Sequence, residues 1–366
     1  MEKVILWGTG KIAQKLLPVI NDTILLVVDN DRKKWGMMWN GYMINNPSAI
    51  TNYYGNFDRI IIAMLSWKKV RKQILEEFAI ESDLIDNMYY RQRKLLLDSY
   101  KPDMSFEEKK YISYLKRHPL EVFNDEFTIK YEYLNPDVYF DREKLLYYVF
   151  HKNKKMYFSS AFTTEEQVRT YYSFLLMEQD NASPHRYLTD CFHVSRHDIV
   201  LDAGVAEGNF ALEIVDLADK LYLVECDKEW IKALRYTFEP YKDKVKIIEG
   251  ALGNGCRGSR SVDEIIGGDR VDFIKMDIEG AEWEALCGAS QSLKQNDVKL
   301  DICVYHNADD EEKIERLLGE KGYETEASDG YMVFITEQFL QRETVFPKLV
   351  RGLVRGRKKG KKLCGI

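Results

Sequence analysis

"IVLDAGVAEGNFALEI" (residues 199–214) is the stretch that decides the fold. Its apolar start is typical of a buried strand, Asp202 comes at the end of that strand, and apolar residues then recur at helical spacing. A strand that runs through glycines into a helix is the repeating unit of a parallel α/β sheet. Gly204 and Gly208 let the backbone approach a ligand that a Cβ atom would keep away. The stretch therefore predicts a ligand-binding loop at the carboxyl edge of such a sheet.

The same alternation of strand and helix continues towards the C-terminus. Four more apolar strands, each followed by a helical pattern, are predicted in "KLYLVEC", "KVKIIEG", "RVDFIKMD" and "VKLDICVYH". The series closes with "YETEASDGYMVFIT" (323–336), where Asp329-Gly330 between alternating residues predicts a β-hairpin. Five strand–helix units closed by an antiparallel hairpin are typical of the class I methyltransferase fold, whereas dehydrogenase domains more often continue with parallel crossovers.

The N-terminal stretch "VILWGTGKIAQKLL" (4–17) has a similar arrangement. Gly8 and Gly10 fit the G-x-G-x-x-A pattern of a dinucleotide-binding turn, and Asp29 comes at the end of the next strand, near the expected spacing of about 20 residues. These three residues form a candidate second nucleotide site. No acid–base pair accompanies them, so a scaffold or dimerisation module is the alternative, and a homo-oligomer is compatible with the sequence.

The sequence thus predicts an α/β protein with two doubly wound domains. Residues 1–90 form a small Rossmann-like domain, and 196–337 form a domain with the class I methyltransferase fold and a terminal antiparallel β-hairpin. The aromatic-rich residues 91–195 are predicted to be a mixed α/β connecting and lid segment. The run "RGLVRGRKKGKKLCGI" makes 338–366 a basic tail, which is either solvated or in contact with an anionic surface or partner.

Composition limits the function classes. The chain has 366 residues, of which 45% are apolar and 31% charged, as in ordinary globular proteins. Its net charge of -6 argues against a general nucleic-acid-binding protein, because such proteins carry a basic excess. No apolar run reaches the roughly 18 residues that span a membrane, and no signal peptide is recognised. The six cysteines contain no C-x-x-C pair, and Cys226, Cys287 and Cys303 lie in apolar surroundings. From these observations together we expect a cytoplasmic protein without a transmembrane segment.

An acid at the end of the next strand indicates the cofactor. Glu225, in "LVECD", follows Asp202 by 23 residues and is placed to accept hydrogen bonds from the ribose of an adenosine-type cofactor. NAD and S-adenosylmethionine (SAM) both contain this ribose. Asp202, Glu207 and Glu225 make the site acidic, which repels a pyrophosphate and attracts the sulfonium and ammonium groups of SAM. We therefore predict SAM, held by Asp202, Gly204, Glu207, Gly208 and Glu225.

Two later strand ends supply the candidate catalytic residues. Asp277 comes at the end of the fourth strand and His306 at the end of the fifth. A hydroxyl acceptor benefits from a base near the methyl group, and the ordinary histidine pKa of about 6.5 makes His306 the predicted base. Asp277 is predicted to contact the cofactor or to orient the imidazole. Glu279 and Glu282 are either helix caps or, with Asp277, hard oxygen ligands for Mg²⁺; the prediction is a site without a metal.

Five motifs carry a resemblance to a known family. "VLDAGVAEGNFAL", "LVECD", "SVDEI", "DFIKMDIEGAE" and "GAxxxL" at Gly288–Leu293 occur in the order and spacing of the FkbM-type methyltransferases. The resemblance covers about residues 196–337, and "IKMDIEGAE" is its most diagnostic part. It implies SAM-dependent O-methylation of sugars and other small hydroxylated metabolites.

The family's functional positions are carried over residue by residue. The SAM loop of the family matches Asp202, Gly204 and Gly208, its ribose acid matches Glu225, and its strand-four acids match Asp277, Glu279 and Glu282. The family often has Asn after the first glycine, where this chain has Val205, so Glu207 is a candidate substitute at the methionine end of the cofactor. The preceding segment (175–192) resembles one found in a subgroup of the family. Its His185, Arg186 and Tyr187 either fold over the cofactor pocket or belong to a helix junction.

The resulting prediction is a SAM-dependent methyltransferase that acts on a hydroxyl of a sugar, a glycan precursor or another small metabolite. One alternative is a non-catalytic nucleotide-binding or assembly protein. Another is a nucleotide-sugar oxidoreductase that uses the N-terminal loop. Calorimetry with SAM and with NAD separates the three.

Overall fold

A computed structural model describes residues 1–132, 134–336, 338–341 and 346–360. The chain forms two compact units. Unit 1 contains Met1–Thr128 and the described residues of Val333–Leu349, and unit 2 contains Ile129–Met332 and the described residues from Val350 onwards. Each unit is built around its own largely parallel sheet, so the predicted α/β class with two doubly wound sheets is confirmed.

The sheet of unit 1 has six strands in the order β3-β4-β2-β1-β5-β6. Its neighbouring strands are parallel except for β3 and β4. Apolar runs such as "KVILW" occupy its centre, as expected of strands buried on both faces. The strands are β1 (Lys3–Trp7), β2 (Thr23–Val28), β3 (Met38–Trp39), β4 (Tyr42–Asn45), β5 (Arg59–Ile62) and β6 (Ile85–Asn87), and the helices are α1 (Lys11–Leu16), α2 (Trp67–Phe78), α3 (Tyr90–Asp98) and α4 (Phe106–Leu115).

The boundary between the units differs from the predicted domain boundaries. Helices α3 and α4 lie in the predicted connecting segment 91–195, but they belong to unit 1. A buried ion pair explains this, because Arg93 lies 2.7 Å from the carboxylate of Asp86 at the end of β6. Arg93 also donates a 2.6 Å hydrogen bond to the carbonyl of Leu115, which ties α4 to the same group. Only the second part of the predicted segment belongs to unit 2.

Unit 2 begins with a small antiparallel sheet. Its order is β7-β8-β9, and it agrees with the mixed α/β character predicted for the connecting segment. Helix α5 follows and leads to the large sheet. These elements are β7 (Tyr139–Asp141), β8 (Leu146–His151), β9 (Lys154–Tyr157) and α5 (Glu165–Glu178).

The large sheet of unit 2 has seven strands in the order β12-β11-β10-β13-β14-β18-β15. The first five are parallel, and β18 runs antiparallel to both of its neighbours. The order reverses between β10 and β13, where the carboxyl ends of two parallel strands open a crevice. The strands are β10 (Ile199–Ala203), β11 (Lys220–Glu225), β12 (Val245–Glu249), β13 (Phe273–Met276), β14 (Lys299–Cys303), β15 (Tyr323–Ala327) and β18 (Leu353–Lys358).

Helices cover both faces of this sheet. Alternate residues of β10 pack into two separate hydrophobic clusters, one containing Val200 and the other Leu201. The helices are α6 (Asn209–Ile214), α7 (Lys228–Thr237), α8 (Val262–Ile266), α9 (Glu282–Cys287), α10 (Ser290–Gln295) and α11 (Asp310–Glu320). Shorter elements are β16 (Met332–Val333), β17 (Leu349–Val350), α12 (Gln338–Gln341) and 3-10 helices at Leu17–Val19, Arg32–Lys34, Pro47–Tyr53, Ser82–Leu84, Glu126–Tyr131 and Glu239–Tyr241. In the part of the chain that is described, no helix has the length and apolar character needed to cross a membrane.

The terminal antiparallel pair of the large sheet exists, but its second strand is not the one predicted. The strand after Asp329-Gly330 does not pair with β15; β15 pairs with β18. A segment of the predicted basic tail therefore lies between β14 and β15. Leu353 and Val354 are fully buried there, so hydrophobic burial stabilises this strand within the sheet.

The arginines of the tail, which suggested solvation, have partners in unit 2. Arg355 and Arg357 both lie over the ring of Phe192. Their guanidinium groups donate 2.6 Å hydrogen bonds to the carbonyls of Arg186 and Cys191. A solvated tail is therefore wrong for β18. Residues 361–366 lie outside the described residues, and contact of the tail's end with an anionic surface stays a prediction.

Candidate functional site

A cavity of about 510 Å³ lies at the carboxyl ends of the central strands of unit 2. Open α/β sheets bind their ligands at this position. One part of its wall is formed by strand ends and the loops after them, and the other by α5 and the segment that follows it. The lining residues include Gly204–Glu207, Val224–Asp227, Gly250–Leu252, Lys275, Asp277–Glu279 and Tyr305 from the first part, and Tyr171, Phe174, Leu175, Glu178 and Tyr187 from the second.

The two glycines of the predicted loop have different roles. Gly204 lines the cavity with a φ of +72°, and a Cβ atom there would lie 1.6 Å from the carbonyl oxygen of Asp277. Only glycine fits this close approach of two strand ends. Gly208 has a φ of +87° and precedes α6, and a Cβ atom there would meet Phe238 at 2.8 Å. Gly208 is not among the cavity-lining residues, so its part is to shape the turn.

Asp202 does not line the cavity but forms an ion pair with a residue that does. Its carboxylate is buried and lies 3.1 Å from Nζ of Lys275, which does line the cavity. Nζ of Lys275 also donates a 2.7 Å hydrogen bond to the carbonyl of Gly204. Burial lowers the pKa of Lys275, but the charges of Asp202 and Asp277 raise it by more, so the ammonium stays charged. The predicted direct contact of Asp202 with the cofactor is therefore replaced by an ion pair that holds the glycine loop.

This ion pair is the start of a row of charges across the sheet. Lys275 is the register neighbour of Asp202 on one side and of Asp301 on the other, and Asp301 is the neighbour of Arg355 in β18. Asp301 is fully buried, and burial raises its pKa to about 7. Acid and base thus alternate over four adjacent strands, and β18 contributes the last member.

Glu225 lines the cavity at the position predicted for a ribose ligand. Its Oε2 accepts a 2.9 Å hydrogen bond from the amide of Ala206, and its Oε1 accepts bonds of 2.8 Å from the amides of Cys226 and Asp227. A carboxylate offers about four acceptor sites, so these three bonds fix its orientation and leave one on Oε2. The residue is therefore oriented and still able to accept a ligand hydroxyl.

Glu207 is buried and lines the cavity on the other side of the loop. It accepts a 3.1 Å hydrogen bond from the hydroxyl of Tyr171 in α5. Burial raises the pKa of Glu207 to about 7. This carboxyl therefore changes its charge near neutral pH, and a cation beside it would favour the ionised form.

Asp277 lies between two tyrosines. Its Oδ2 accepts a 3.0 Å hydrogen bond from Tyr187 and its Oδ1 a 2.9 Å bond from Tyr305. Burial raises the pKa of Asp277, but His185, Lys275, His306 and the Tyr305 hydroxyl lower it by more. Since burial also lowers the pKa of His185 to about 4, that imidazole is neutral at pH 7. Lys275 and His306 then keep Asp277 ionised.

His306 is close to Asp277 but is not among the cavity-lining residues. Its Nδ1 lies 3.1 Å from Glu282, and its Nε2 lies 3.5 Å from Asp277 and 3.6 Å from Glu279. Burial lowers the pKa of His306, but the bond to Glu282 and the three carboxylates raise it above its ordinary value. His306 does not suit the predicted general base, because a base must reach its proton and His306 lies outside the lining, next to carboxylates that favour its charged form.

Two sets of side chains have the spacing of metal ligands. Asp277, Glu282 and His306 form one set, with ligand atoms within 4.8 Å of one another, and His185, Asp277 and Cys303 form the other. Glu282 is already engaged, because it accepts a 2.8 Å hydrogen bond from the amide of Ile278. Glu279 belongs to neither set, and its side chain is 88% exposed. The strand-four acids considered for Mg²⁺ therefore do not converge as a triad.

Glu178, Lys275 and Tyr171 are among the lining residues that were not assigned a role from the sequence. Glu178 ends α5, Lys275 lies in the apolar strand β13, and Tyr171 lies in the aromatic part of α5. A charge within an apolar run is the signal that would have found the first two, in "FLLMEQD" and "FIKMD". Tyr187 was recognised in the preceding segment, and its contact with Asp277 agrees with a segment that covers the pocket. Nothing in the local pattern distinguishes Tyr171 from its aromatic neighbours.

The candidate second site in unit 1 has a different character. Gly8 has a φ of +105°, as a tight turn requires. The carboxylate of Asp29 accepts hydrogen bonds from the amide and the hydroxyl of Thr9 and lies 2.9 Å from Nζ of Lys34. The acid predicted to bind a ribose is thus engaged by its own loop. A cavity of about 270 Å³ in this unit lies beside β2 and β4 and is not lined by Gly8, Gly10 or Asp29.

Comparisons with known proteins agree with the motifs. Residues 258–325 match the family model of the methyltransferase FkbM domain, and residues 1–85 match that of the C2185-like N-terminal domain. The resemblance predicted from the motifs is thereby confirmed for the C-terminal part of the chain. No curated protein sequence matches the chain.

The solved structures to which this chain is similar include several methyltransferases. Methyltransferase FkbM from Methylobacillus flagellatus KT is 15% identical, with 97% of this chain and 90% of that chain covered and a TM-score of 0.49. The precorrin-6y C5,15-methyltransferase from Geobacter metallireducens GS-15 is 16% identical, with coverage of 46% and 85% and a TM-score of 0.32. A SAM-dependent O-methyltransferase from Thermotoga maritima is 15% identical, with coverage of 46% and 62% and a TM-score of 0.30.

Proposed function

We propose that this protein is a SAM-dependent methyltransferase that methylates a hydroxyl group on a sugar, a glycan precursor or another small metabolite. The observation that carries the proposal is the cavity in unit 2. It lies at the switch point of the seven-stranded sheet, and the glycine loop and several carboxylates line it. The match of residues 258–325 to the methyltransferase FkbM domain supports the same activity. A cytoplasmic location stays a prediction. The cysteines do not decide it, because Cys226, Cys256, Cys287 and Cys303 are free thiols, whereas Cys191 is disulfide-bonded.

The lining residues suit the parts of SAM. Apolar side chains of Val224, Trp230 and Leu252 suit the adenine, and the oriented carboxylate of Glu225 suits the ribose. Glu207, on the opposite side of the loop, suits the ammonium group of the methionine part. Bound in this cavity, SAM supplies an electrophilic methyl group.

Asp277 is the residue that we assign as proton acceptor for the hydroxyl. It lines the cavity, is ionised at neutral pH, and is held in place by Tyr187 and Tyr305. Its lowered pKa makes it a weak base. The hydroxyl becomes strongly acidic as its oxygen bonds to the methyl carbon, so a weak base is sufficient to take the proton late in the reaction.

The two alternative functions have less support. An oxidoreductase that used the N-terminal loop would need Asp29 for the ribose, and Asp29 is occupied by Thr9 and Lys34. A non-catalytic binding protein would not need a half-buried Asp277 that two tyrosines orient beside the cavity. A supporting or dimerising role for unit 1 stays a prediction, as does nucleotide binding at Gly8 and Gly10.

The test of the proposed function is calorimetry on the full-length protein with SAM, with its demethylated product S-adenosylhomocysteine (SAH), and with NAD. We expect SAM and SAH to bind and NAD not to bind. Glu225→Gln should weaken SAM binding by about 1.5–3 kcal/mol, because it removes a charge-assisted hydrogen bond to the ribose. Glu249→Gln is the matched control, since Glu249 is the register neighbour of Glu225 and is exposed. Equal affinities for Glu225→Gln and wild type would contradict the site.

A second expectation concerns pH. Because the pKa of Glu207 is about 7, its carboxyl gains a negative charge as the pH rises through neutrality. SAM is a cation, so its affinity should rise by up to about tenfold between roughly pH 6 and pH 8. The measurement is calorimetric titration at several pH values with wild type and Glu207→Gln, which should give a flat profile. A flat wild-type profile, or a rise that persists in the variant, would remove Glu207 from the cofactor site.

A further inference from the structure

The cavity of unit 2 is unusual in the charge of its lining. Six carboxylates line it: Glu178, Glu207, Glu225, Asp227, Asp277 and Glu279. Among the described lining residues the only cation is Lys275. Its ammonium is already used, because it lies 3.1 Å from Asp202 and donates a hydrogen bond to the Gly204 carbonyl. No described lining group is therefore left to neutralise a phosphate or a carboxylate of a second ligand.

Glu178 differs in its partners from Glu207, Glu225 and Asp277, three other acids that line the cavity. Glu225 accepts three amide hydrogen bonds, Glu207 accepts one from Tyr171, and Asp277 accepts two from tyrosines. The side chain of Glu178 is 17% exposed. Its Oε1 lies 3.3 Å from Nδ1 of His185. That nitrogen is buried and makes no hydrogen bond, and the imidazole is neutral at pH 7 because burial lowers its pKa to about 4.

Aromatic side chains line the same cavity as Glu178. Phe174 lies one turn and Tyr171 two turns before it on α5, and both line the cavity as Glu178 does. Tyr187 and Tyr305 line the cavity as well. Aromatic rings and a carboxylate each attract an ammonium group, and neither attracts an anion. This combination suits a cation, and Glu178, Tyr171 and Phe174 all belong to helix α5.

We propose that the hydroxylated acceptor carries a protonated amine, which binds Glu178, and carries no phosphate. The inference rests on the proposed function and narrows its acceptor class to amino sugars and amino alcohols. Sugar phosphates and nucleotide-linked sugars are excluded, because burying a phosphate among uncompensated carboxylates is costly. Burial and the charges of Asp277 and Glu207 hold the pKa of Glu178 well above its ordinary value, and an ammonium beside it would restore its ionised form.

The experiment uses the full-length protein saturated with SAH. It compares three probes that share the glucopyranose ring, namely glucosamine, glucose and glucose 6-phosphate. We expect glucosamine to bind at least about tenfold more tightly than glucose, and glucose 6-phosphate to bind more weakly than glucose, as measured by calorimetry. Glu178→Gln should abolish the preference for the amine. Glu320→Gln, at an exposed position on α11, is the matched control and should keep the preference.

The outcomes separate the two proposals. If SAH itself does not bind, the proposed function is wrong. If SAH binds but glucosamine binds no better than glucose, or does not bind at all, the cationic acceptor is wrong while the methyltransferase remains. A preference for glucose 6-phosphate would overturn it as well, and so would an amine preference that survives in Glu178→Gln.

Discussion

Replacing Gly204 by alanine is expected to abolish SAM binding by the full-length protein. The added Cβ atom would lie 1.6 Å from the carbonyl oxygen of Asp277. That oxygen belongs to the backbone at the end of the adjacent strand. The loop and Asp277 must therefore separate, which displaces the candidate ribose-binding and proton-accepting groups together. The positive φ of +72° adds strain of roughly 1–2 kcal/mol for any residue with a Cβ atom. We expect affinity to fall by at least about two orders of magnitude.

A matched glycine distinguishes the clash from the strain. Gly268 has a similar φ of +89°, is exposed, and has no atom within 4 Å of the Cβ position. Gly268→Ala should cost only the strain and should bind SAM like the wild type. Circular dichroism of both variants shows whether the fold is kept. A folded Gly204→Ala protein with normal SAM affinity would show that the loop does not form the cofactor site.

Lys275→Met is expected to have the largest effect on stability. Methionine keeps most of the length of the side chain but leaves Asp202 buried with no opposite charge nearby. Breaking a buried ion pair from one side typically costs about 3–5 kcal/mol. The hydrogen bond to the Gly204 carbonyl is lost as well. Urea unfolding followed by circular dichroism should show this loss in the free energy of unfolding.

The double variant Asp202→Asn/Lys275→Met is the control for this interpretation. It removes both charges, so it should be more stable than Lys275→Met although it lacks more of the native groups. The stability losses of the single variants Asp202→Asn and Lys275→Met are compared with the loss of the double variant. If the loss of the double variant equalled the sum of the two single losses, the charges of Asp202 and Lys275 would not stabilise each other. The ion pair would then be a consequence of packing and not the support of the loop.

The central strands of both sheets could be recognised from the sequence because each apolar run indicates its own burial. β1, β10 and β13 are short apolar segments bounded by glycines or acids, and they need no knowledge of their partners. The strand that pairs with β15 could not be recognised in this way. Asp329-Gly330 is a good local turn signal, but the strand after it, β16, pairs with β17, and β18 with its buried Leu353 and Val354 pairs with β15. Their neighbouring lysines and arginines concealed that strand.

The candidate site could be located to the correct strand ends, but not to the correct side chains. Glu207, Glu225 and Asp277 all line the cavity, because the carboxyl ends of parallel strands meet at one edge. Asp202 and His306 were assigned direct roles that their surroundings do not favour. Their positions depend on cross-strand neighbours, Lys275 in one case and Glu282 in the other, and such neighbours are not visible in a single sequence.

The late position of β18 has a consequence for biosynthesis. A ribosome releases the chain from its N-terminus, so five parallel strands and β15 leave the ribosome before the strand that lies between β14 and β15. Until residue 358 has been released, β14 and β15 each lack a hydrogen-bonding neighbour, and Asp301 lacks Arg355. The large sheet can therefore be completed only after β18 itself has left the ribosome. A chain that stops before β18 would leave unpaired edges at β14 and β15, and such edges are sites for aggregation.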